Sequence, residues 1–352
     1  MFPPEFKSQL KSALLDWLWR SWISFGVSGH GAEARRDRVI DPEALVLASS
    51  RWARLDARLF DEVLDWLCQY GHLIHLQRLQ NLQRTGLGDP KVLSAIAAVV
   101  VEHSPHAKWK SLVSTTDESA VAELLFLSTE NGSGFWGQPD PLFARQGWQR
   151  GRLELRQLSQ PPDPHRAANF WLKLRALFGT SARAEILLHL LTIGPATATE
   201  IARRSGYTTR SILLPLREMA LSGHVCEPPR PVRPRPQRGK LATVRTRGPS
   251  LAYALRLDEW GFLRTWEVPI GLPEAESPLP LLGLCRAVLV QETLSNASAG
   301  LQHIQLREAA AAPLAEMQRL GLSGLYALPP DLAGEPLAMR LADRLPKLIA
   351  HL

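Results

Sequence analysis

Seven basic residues and no acidic one lie between Pro228 and Arg247: Arg230, Arg233, Arg235, Arg238, Lys240, Arg245 and Arg247. Within this stretch, PPRPVRPRPQRGK interleaves four arginines and a lysine with five prolines. Guanidinium and ammonium groups at this density can neutralise a row of phosphates. The prolines favour polyproline II, which can dock an aromatic-lined groove of a partner. A solvated linker is the third reading. The formal net charge of the chain is +7, and the basic stretch accounts for all of it, because the other 34 Lys+Arg balance 34 Asp+Glu.

Other groupings of reactive side chains fall short of a recognisable chemistry. His72 and His75 are three apart and could share a helix face, and Glu102, His103 and His106 cluster nearby. Neither group has a third ligand at a metal-site spacing. ENGSGFWGQPDP contains glycines but lacks the GxxxxGK[ST] of a phosphate loop. No GxSxG, HExxH or catalytic cysteine context occurs. Cys68, Cys226 and Cys285 are far apart with no CxxC, which fits free thiols in a reducing cytoplasm. The chain therefore reads as a non-enzyme with no cofactor and no metal. No apolar run reaches the ~20 residues that span a bilayer, and the N-terminus does not read as a signal peptide.

The elements that must position the basic stretch follow from periodicity and punctuation. Residues 1–25 contain a Trp-rich amphipathic helix, with Phe6, Leu10, Leu14, Trp17, Leu18, Trp22 and Phe25 on one stripe. That stripe packs on the body of the protein or on a second subunit, and Trp17, Leu18, Trp22 and Phe25 are its dimerisation candidates. Residues 26–38 read as a linker. Residues 39–160 read as a mostly helical domain with a little β structure near its end. Its helices start at Asp41-Pro42 and Asp89-Pro90, and one between them stops at Gly71. RGRLELRQL alternates like a strand. Residues 275–352 read as a helical C-terminal domain.

Residues 182–225, ARAEILLHLLTIGPATATEIARRSGYTTRSILLPLREMALSGHV, divide into three helical pieces. The first ends at Gly194. The second opens with Thr197-x-x-Glu200, a capping-box pattern, and stops at Gly206. The third starts near Thr208 or Thr209 and ends at Gly223. Ala202 allows a close helix crossing, and Ile201, Ile212, Leu216 and Met219 can fill a shared core. Strand-like HVC and YALRL then flank the basic stretch. In this context the stretch becomes an extended wing (226–248), whose tip need not pair in a ladder and so tolerates proline.

AEILLHLL, TEIARRSGYTTRSI, EMALSGHV and YALRL occur in the order and at the lengths of a winged helix-turn-helix, so residues 178–257 resemble the winged-helix domains of bacterial MarR/ArsR-like transcriptional regulators. The resemblance covers under a quarter of the chain. It implies a mainly α fold with small β elements, in which a central winged helix-turn-helix (166–262) is flanked by helical N-terminal and C-terminal domains. It also implies a third helix in the major groove, with Thr208, Thr209, Arg210, Ser211 and Arg217 facing DNA. Arg203 and Arg204 on the second helix would hold phosphate, and the seven basic residues of the wing would track the backbone. The expected protein is a cytoplasmic, nucleoid-associated regulator of double-stranded DNA, most simply a homodimeric repressor. The alternative is a protein-interaction module, or an antitoxin-like autorepressor that masks a partner enzyme. Two residues depart from the pattern. Pro215 should kink or break the third helix, and Leu213 and Leu214 stand where groove contacts are expected.

Overall fold

The computed structural model describes residues 2–29, 39–114, 122–126, 138–226, 252–266, 278–291, 299–319 and 334–351. The protein is mainly helical. In chain order the elements are α1 (Phe6–Ser24), α2 (Pro42–Trp52), α3 (Ala57–Tyr70), α4 (Leu76–Gln83), α5 (Pro90–His103), β1 (Glu123–Leu124), α6 (Pro141–Arg145), β2 (Trp148–Gln149), α7 (Phe170–Phe178), α8 (Ala182–Thr192), α9 (Ala198–Ser205), α10 (Thr209–Leu221), β3 (Val225–Cys226), β4 (Ala254–Leu255), α11 (Pro278–Gln291), α12 (Ala299–Arg319) and α13 (Gly334–His351). They form two compact units, Met1–Lys173 with Leu272–Leu352, and Leu174–Gly271.

The first unit merges three segments that the sequence suggests are separate: 1–25, 39–160 and 275–352. One apolar core explains the merger. It takes Leu10, Leu14 and Leu18 from α1, Leu45 and Trp52 from α2, Val63 and Leu67 from α3, and Leu284, Leu306 and Leu341 from the C-terminal helices. Isolated amphipathic helices are marginal in water, so each must bury its stripe against another. The stripe of α1 is buried inside its own chain. Trp17 is 4% exposed, and Leu18, Trp22 and Phe25 are 0% exposed. This corrects the expectation that these four side chains meet a second subunit. Their polar atoms are also satisfied internally. Trp22 Nε1 donates to Ser49 Oγ at 2.8 Å, and Trp66 Nε1 donates to the Phe25 carbonyl at 2.8 Å. Trp22, Phe25 and Trp66 pack ring against ring. On the outer side of α1, Arg20 Nη2 reaches the Ala350 carbonyl of α13 at 3.1 Å.

Aspartates start four helices of this unit. Asp41 caps α2, Asp56 caps α3, Asp89 caps α5 and Asp140 caps α6, each accepting from amides of the first turn. Proline follows at the first helical position in α2, α5 and α6, where its missing N–H costs nothing. Asp41 has a second task. Arg78, buried on α4, donates Nη1 and Nη2 to Asp41 at 2.7 and 2.6 Å and Nη1 to Glu43 at 2.6 Å. Its guanidinium lies 4.7 Å from the centroid of the Trp171 ring.

The β content is smaller than the alternation of RGRLELRQL suggests. β1 and β2 form a two-residue parallel pair, and Gly151 bridges Pro139. From Arg152 to Arg156 the backbone is extended and the side chains do alternate, with Leu153 and Leu155 on the core and Arg152, Glu154 and Arg156 exposed. Carboxylates take the place of a neighbouring strand. Leu153 N donates to Asp140 Oδ2 at 3.0 Å, Gln157 N to Asp65 Oδ1 at 2.6 Å, and Ser159 N to Asp65 Oδ2 at 3.2 Å.

The second unit holds α8, α9 and α10 with the strands β3 and β4, and its limits lie nine residues beyond the expected 166–262 at the C-terminal end. β3 and β4 pair antiparallel, with Val225 opposite Leu255 and Cys226 opposite Ala254. Tyr253 forms an antiparallel bridge with Ala196, which lies between α8 and α9. Arg175 and Glu185 are buried together, with Nε and Nη2 donating to Glu185 Oε1 at 3.1 and 2.8 Å.

A buried arginine held by two buried carboxylates should not tolerate truncation. We expect Arg78→Ala to lower the unfolding free energy by about 3–5 kcal/mol, because two carboxylates would stay buried and uncompensated. Urea denaturation of the full chain measures this, and a loss under about 1 kcal/mol would show that the cluster does not organise the unit.

Candidate nucleic-acid interface

The second unit positions the candidate contact residues through two helix caps and one glycine. The Thr197 hydroxyl accepts from the Glu200 amide at 3.2 Å, and Glu200 Oε2 accepts from the Thr197 amide at 2.7 Å, so the expected capping box opens α9. These amide and hydroxyl donors hold the Glu200 carboxyl below its ordinary value. At the other end of α9, Gly206 has φ 73°, a left-handed turn that a side-chain-bearing residue rarely adopts. Two residues later Thr208 caps α10, its hydroxyl accepting from the Ser211 amide at 3.1 Å. The crossing of α9 and α10 is lined by buried Ile201, Ala202, Ile212, Leu216 and Met219.

With that face buried, the opposite face of α10 is defined. Thr208, Thr209, Arg210, Ser211 and Arg217 are all exposed. Arg210 and Arg217 are seven apart, so they share a face two turns from each other. Thr208 and Ser211 are less available than their exposure suggests. Their hydroxyls bond one another at 2.7 Å, and Thr208 is committed to the cap. Thr209 and Arg210 remain at a helix N-terminus, where amides and the helix dipole favour an anion.

On α9 the two arginines part company. Arg203 is exposed. Arg204 is half-buried, with Nη1 3.2 Å from His189 Nε2 on α8. Arg204 thus packs partly against α8, and Arg203 is the more open of the two expected phosphate contacts. Burial, aided by the Arg204 charge, pushes the His189 imidazole down to about 4. The neutral ring can then accept from Arg204. Arg183 on α8 pairs with Glu218 on α10, which compensates the acid on the exposed side of that helix.

Pro215 neither breaks nor divides α10, which runs unbroken from Thr209 to Leu221. The ring deprives the Ser211 carbonyl of its i+4 amide but leaves the buried face continuous. Leu214 is 62% exposed and Leu221 90% exposed. The wing residues Arg230, Arg233, Arg235, Arg238, Lys240, Arg245 and Arg247 lie outside the described residues. The chain that holds them joins β3 to β4. Arg256, just after β4, is an exposed cation that sequence reasoning did not single out, although YALRL contains it.

The histidine groups noted in the sequence have ordinary partners. His75 Nδ1 accepts from the Arg78 amide at the start of α4, and the His72 and His106 rings pack with centroids 5.2 Å apart. Among the described residues no group of three or more His, Cys, Asp or Glu is placed to hold a metal ion. Among the same residues no helix is long and apolar enough to cross a membrane. No protein-family model, curated protein or solved structure matches the chain.

His189 gives this unit a pH dependence. Its folded value, about 4, lies below the unfolded value of about 6.5, so the unfolded state binds the proton more readily. Stability is full above about pH 6.5 and falls as pH drops toward 4, by about 3 kcal/mol in all. We expect His189→Gln to flatten this slope. Denaturant midpoints of both proteins between neutral and mildly acidic pH test it, and parallel curves would exclude His189 as the source.

Proposed function

We propose that residues 174–271 form a winged helix-turn-helix and that the chain is a double-stranded-DNA-binding transcription regulator. The observation that carries this reading is the two-sidedness of α10. Ile212, Leu216 and Met219 are buried, while Thr209, Arg210 and Arg217 are exposed at and beyond its N-terminus. α10 follows α9 after a left-handed glycine, and a strand pair closes the unit. In this reading α10 enters the major groove. Arg210 is suited to a guanine edge and Thr209 to a phosphate. Arg203 and Arg217 hold flanking phosphates. In the same reading residues 226–248 would be the wing, and their seven cations would supply the non-specific grip. The site of action is the nucleoid in the cytoplasm, and the reaction is binding without catalysis. A two-fold dimer on inverted half-sites would use a surface other than the buried stripe of α1.

A second reading rests on Leu214 and Leu221. Two exposed leucines on the presumed DNA-facing element suit a protein partner, as in an antitoxin-like autorepressor that masks an enzyme.

Salt dependence separates the two. For duplex DNA from upstream of its own gene, the seven wing contacts together with Arg203 and Arg217 give a log–log slope of roughly −8. Replacing Arg233, Arg235, Arg238 and Lys240 by Ala should reduce it to roughly −4.5. Arg210→Ala should weaken the preferred site more than random duplex. An unchanged slope in the quadruple variant removes the wing from the interface, and no binding at low salt removes the DNA reading.

A further inference from the structure

A second candidate site lies wholly within the first unit. Arg58, Asp61, Glu62 and Asp65 stand at i, i+3, i+4 and i+7 on α3 and so share one face. The extended segment Arg152–Arg156 runs opposite, presenting Arg152, Glu154 and Arg156 at alternate positions. These seven residues line a cavity of about 180 Å³. That is close to the ~150 Å³ known to take a benzene-sized guest.

Two of the carboxylates around the cavity are already hydrogen-bonded. Asp61 is held bidentately by Arg150, at 2.5 and 2.9 Å. Asp65 accepts from Gln69, from the Gln157 and Ser159 amides and from the Ser159 hydroxyl. Arg58 lies over the Trp19 ring. Arg156 approaches Glu62 Oε1 at 3.6 Å. Three further groups bear on a ligand. The Glu62 side chain is only 4% exposed, and its Oε2 is buried with no hydrogen-bond partner among the described residues. A buried, unpaired carboxylate oxygen is costly, and burial raises the Glu62 carboxyl above its ordinary value despite Arg156. Glu154 and Arg152 are exposed at the rim, without an ion pair among the described residues.

The lining thus offers acceptors on Glu62 and Glu154 and guanidinium donors on Arg58, Arg152 and Arg156 around a space of amino-acid size, with Arg152 the arginine that has neither a ring contact nor an ion pair among the described residues. We propose that this cavity binds a small zwitterion, a free α-amino acid, with its ammonium on Glu62 and Glu154 and its carboxylate on Arg152. An ammonium supplies the N–H that Glu62 lacks, and a carboxylate matches a guanidinium fork. A molecule with only one charge would leave one side of the cavity unmatched. The site needs nothing from the DNA-binding unit, so either reading can fail without the other.

The test uses the full-length protein and free L-α-amino acids at millimolar concentration, scored by thermal shift and then calorimetry. At least one amino acid should bind. Its decarboxylated amine and its deaminated acid should each bind at least about tenfold more weakly. Arg152→Ala and Glu154→Gln change exposed rim residues and should fold normally while losing that binding to a similar degree. Glu62→Gln should lose it as well, and should also remove the buried charge. The proposal is overturned if no amino acid binds, if the amine or the acid alone binds as tightly as its parent, or if binding persists in both rim variants.

Discussion

A charge taken out of water must find its counter-charge inside the protein, and that constraint organises both units. In the first, Arg78 is nearly inaccessible and is held between Asp41 and Glu43, with the Trp171 ring across its face. The cluster joins the start of α2, the start of α4 and the start of α7. Glu43 also accepts from the His75 amide at 2.8 Å, so the residue before α4 is fixed by the same carboxylate. In the second unit Arg175 and Glu185 join the end of α7 to α8 in the same manner. The net energy of such pairs is small compared with apolar burial, but their geometric demand is strict. A slipped register would strand a charge, and the penalty selects one arrangement of helices over its near neighbours.

The same rule explains why the helix starts were legible. Asp41-Pro42, Asp89-Pro90 and Thr197-x-x-Glu200 are local devices, since cap and amide are within four residues and need no tertiary partner. The stop at Gly206 is local too, a left-handed turn, whereas at Gly71, with an ordinary right-handed φ of −60°, Trp109 from 38 residues away packs on the glycine and donates to its carbonyl. What the sequence hid is non-local. Asp41 looks like a cap and is also half of a buried ion pair with a residue 37 positions away. Arg204 looks like a surface cation until α8 places His189 beside it. The stripe of α1 is visible, but its partner is not. Periodicity says that Trp22 must be buried, and only the fold says that Ser49 and Trp66 do the burying.

The alternation of residues 150–158 shows how a correct pattern can lead to a wrong element. Period-2 burial reports an extended backbone with one side on the core, and that holds for Leu153 and Leu155. It does not report what satisfies the amides. Here Asp65 and Asp140 do so, and the segment stays extended without a ladder. Asp65 therefore serves α3 and the segment at once. This brings Arg152 and Glu154 opposite the acidic face of α3, a juxtaposition that neither stretch reveals alone.

Under the proposed function, charge placement would also separate affinity from selectivity in the second unit. Outside residues 228–247 the formal charges cancel, so long-range attraction to a polyanion must come from that stretch. α10 adds few net charges, because Glu218 is compensated by Arg183 and its face carries leucine as well as arginine. Attraction without direction would come from one segment, and orientation from the short exposed turn of Thr209 and Arg210. Leu214 sits one turn beyond Arg210 on the same helix, where it would meet either a thymine methyl or an apolar protein surface. Under the proposed function, the partner of that helix would bring an anionic group to its N-terminus and an apolar one to the next turn.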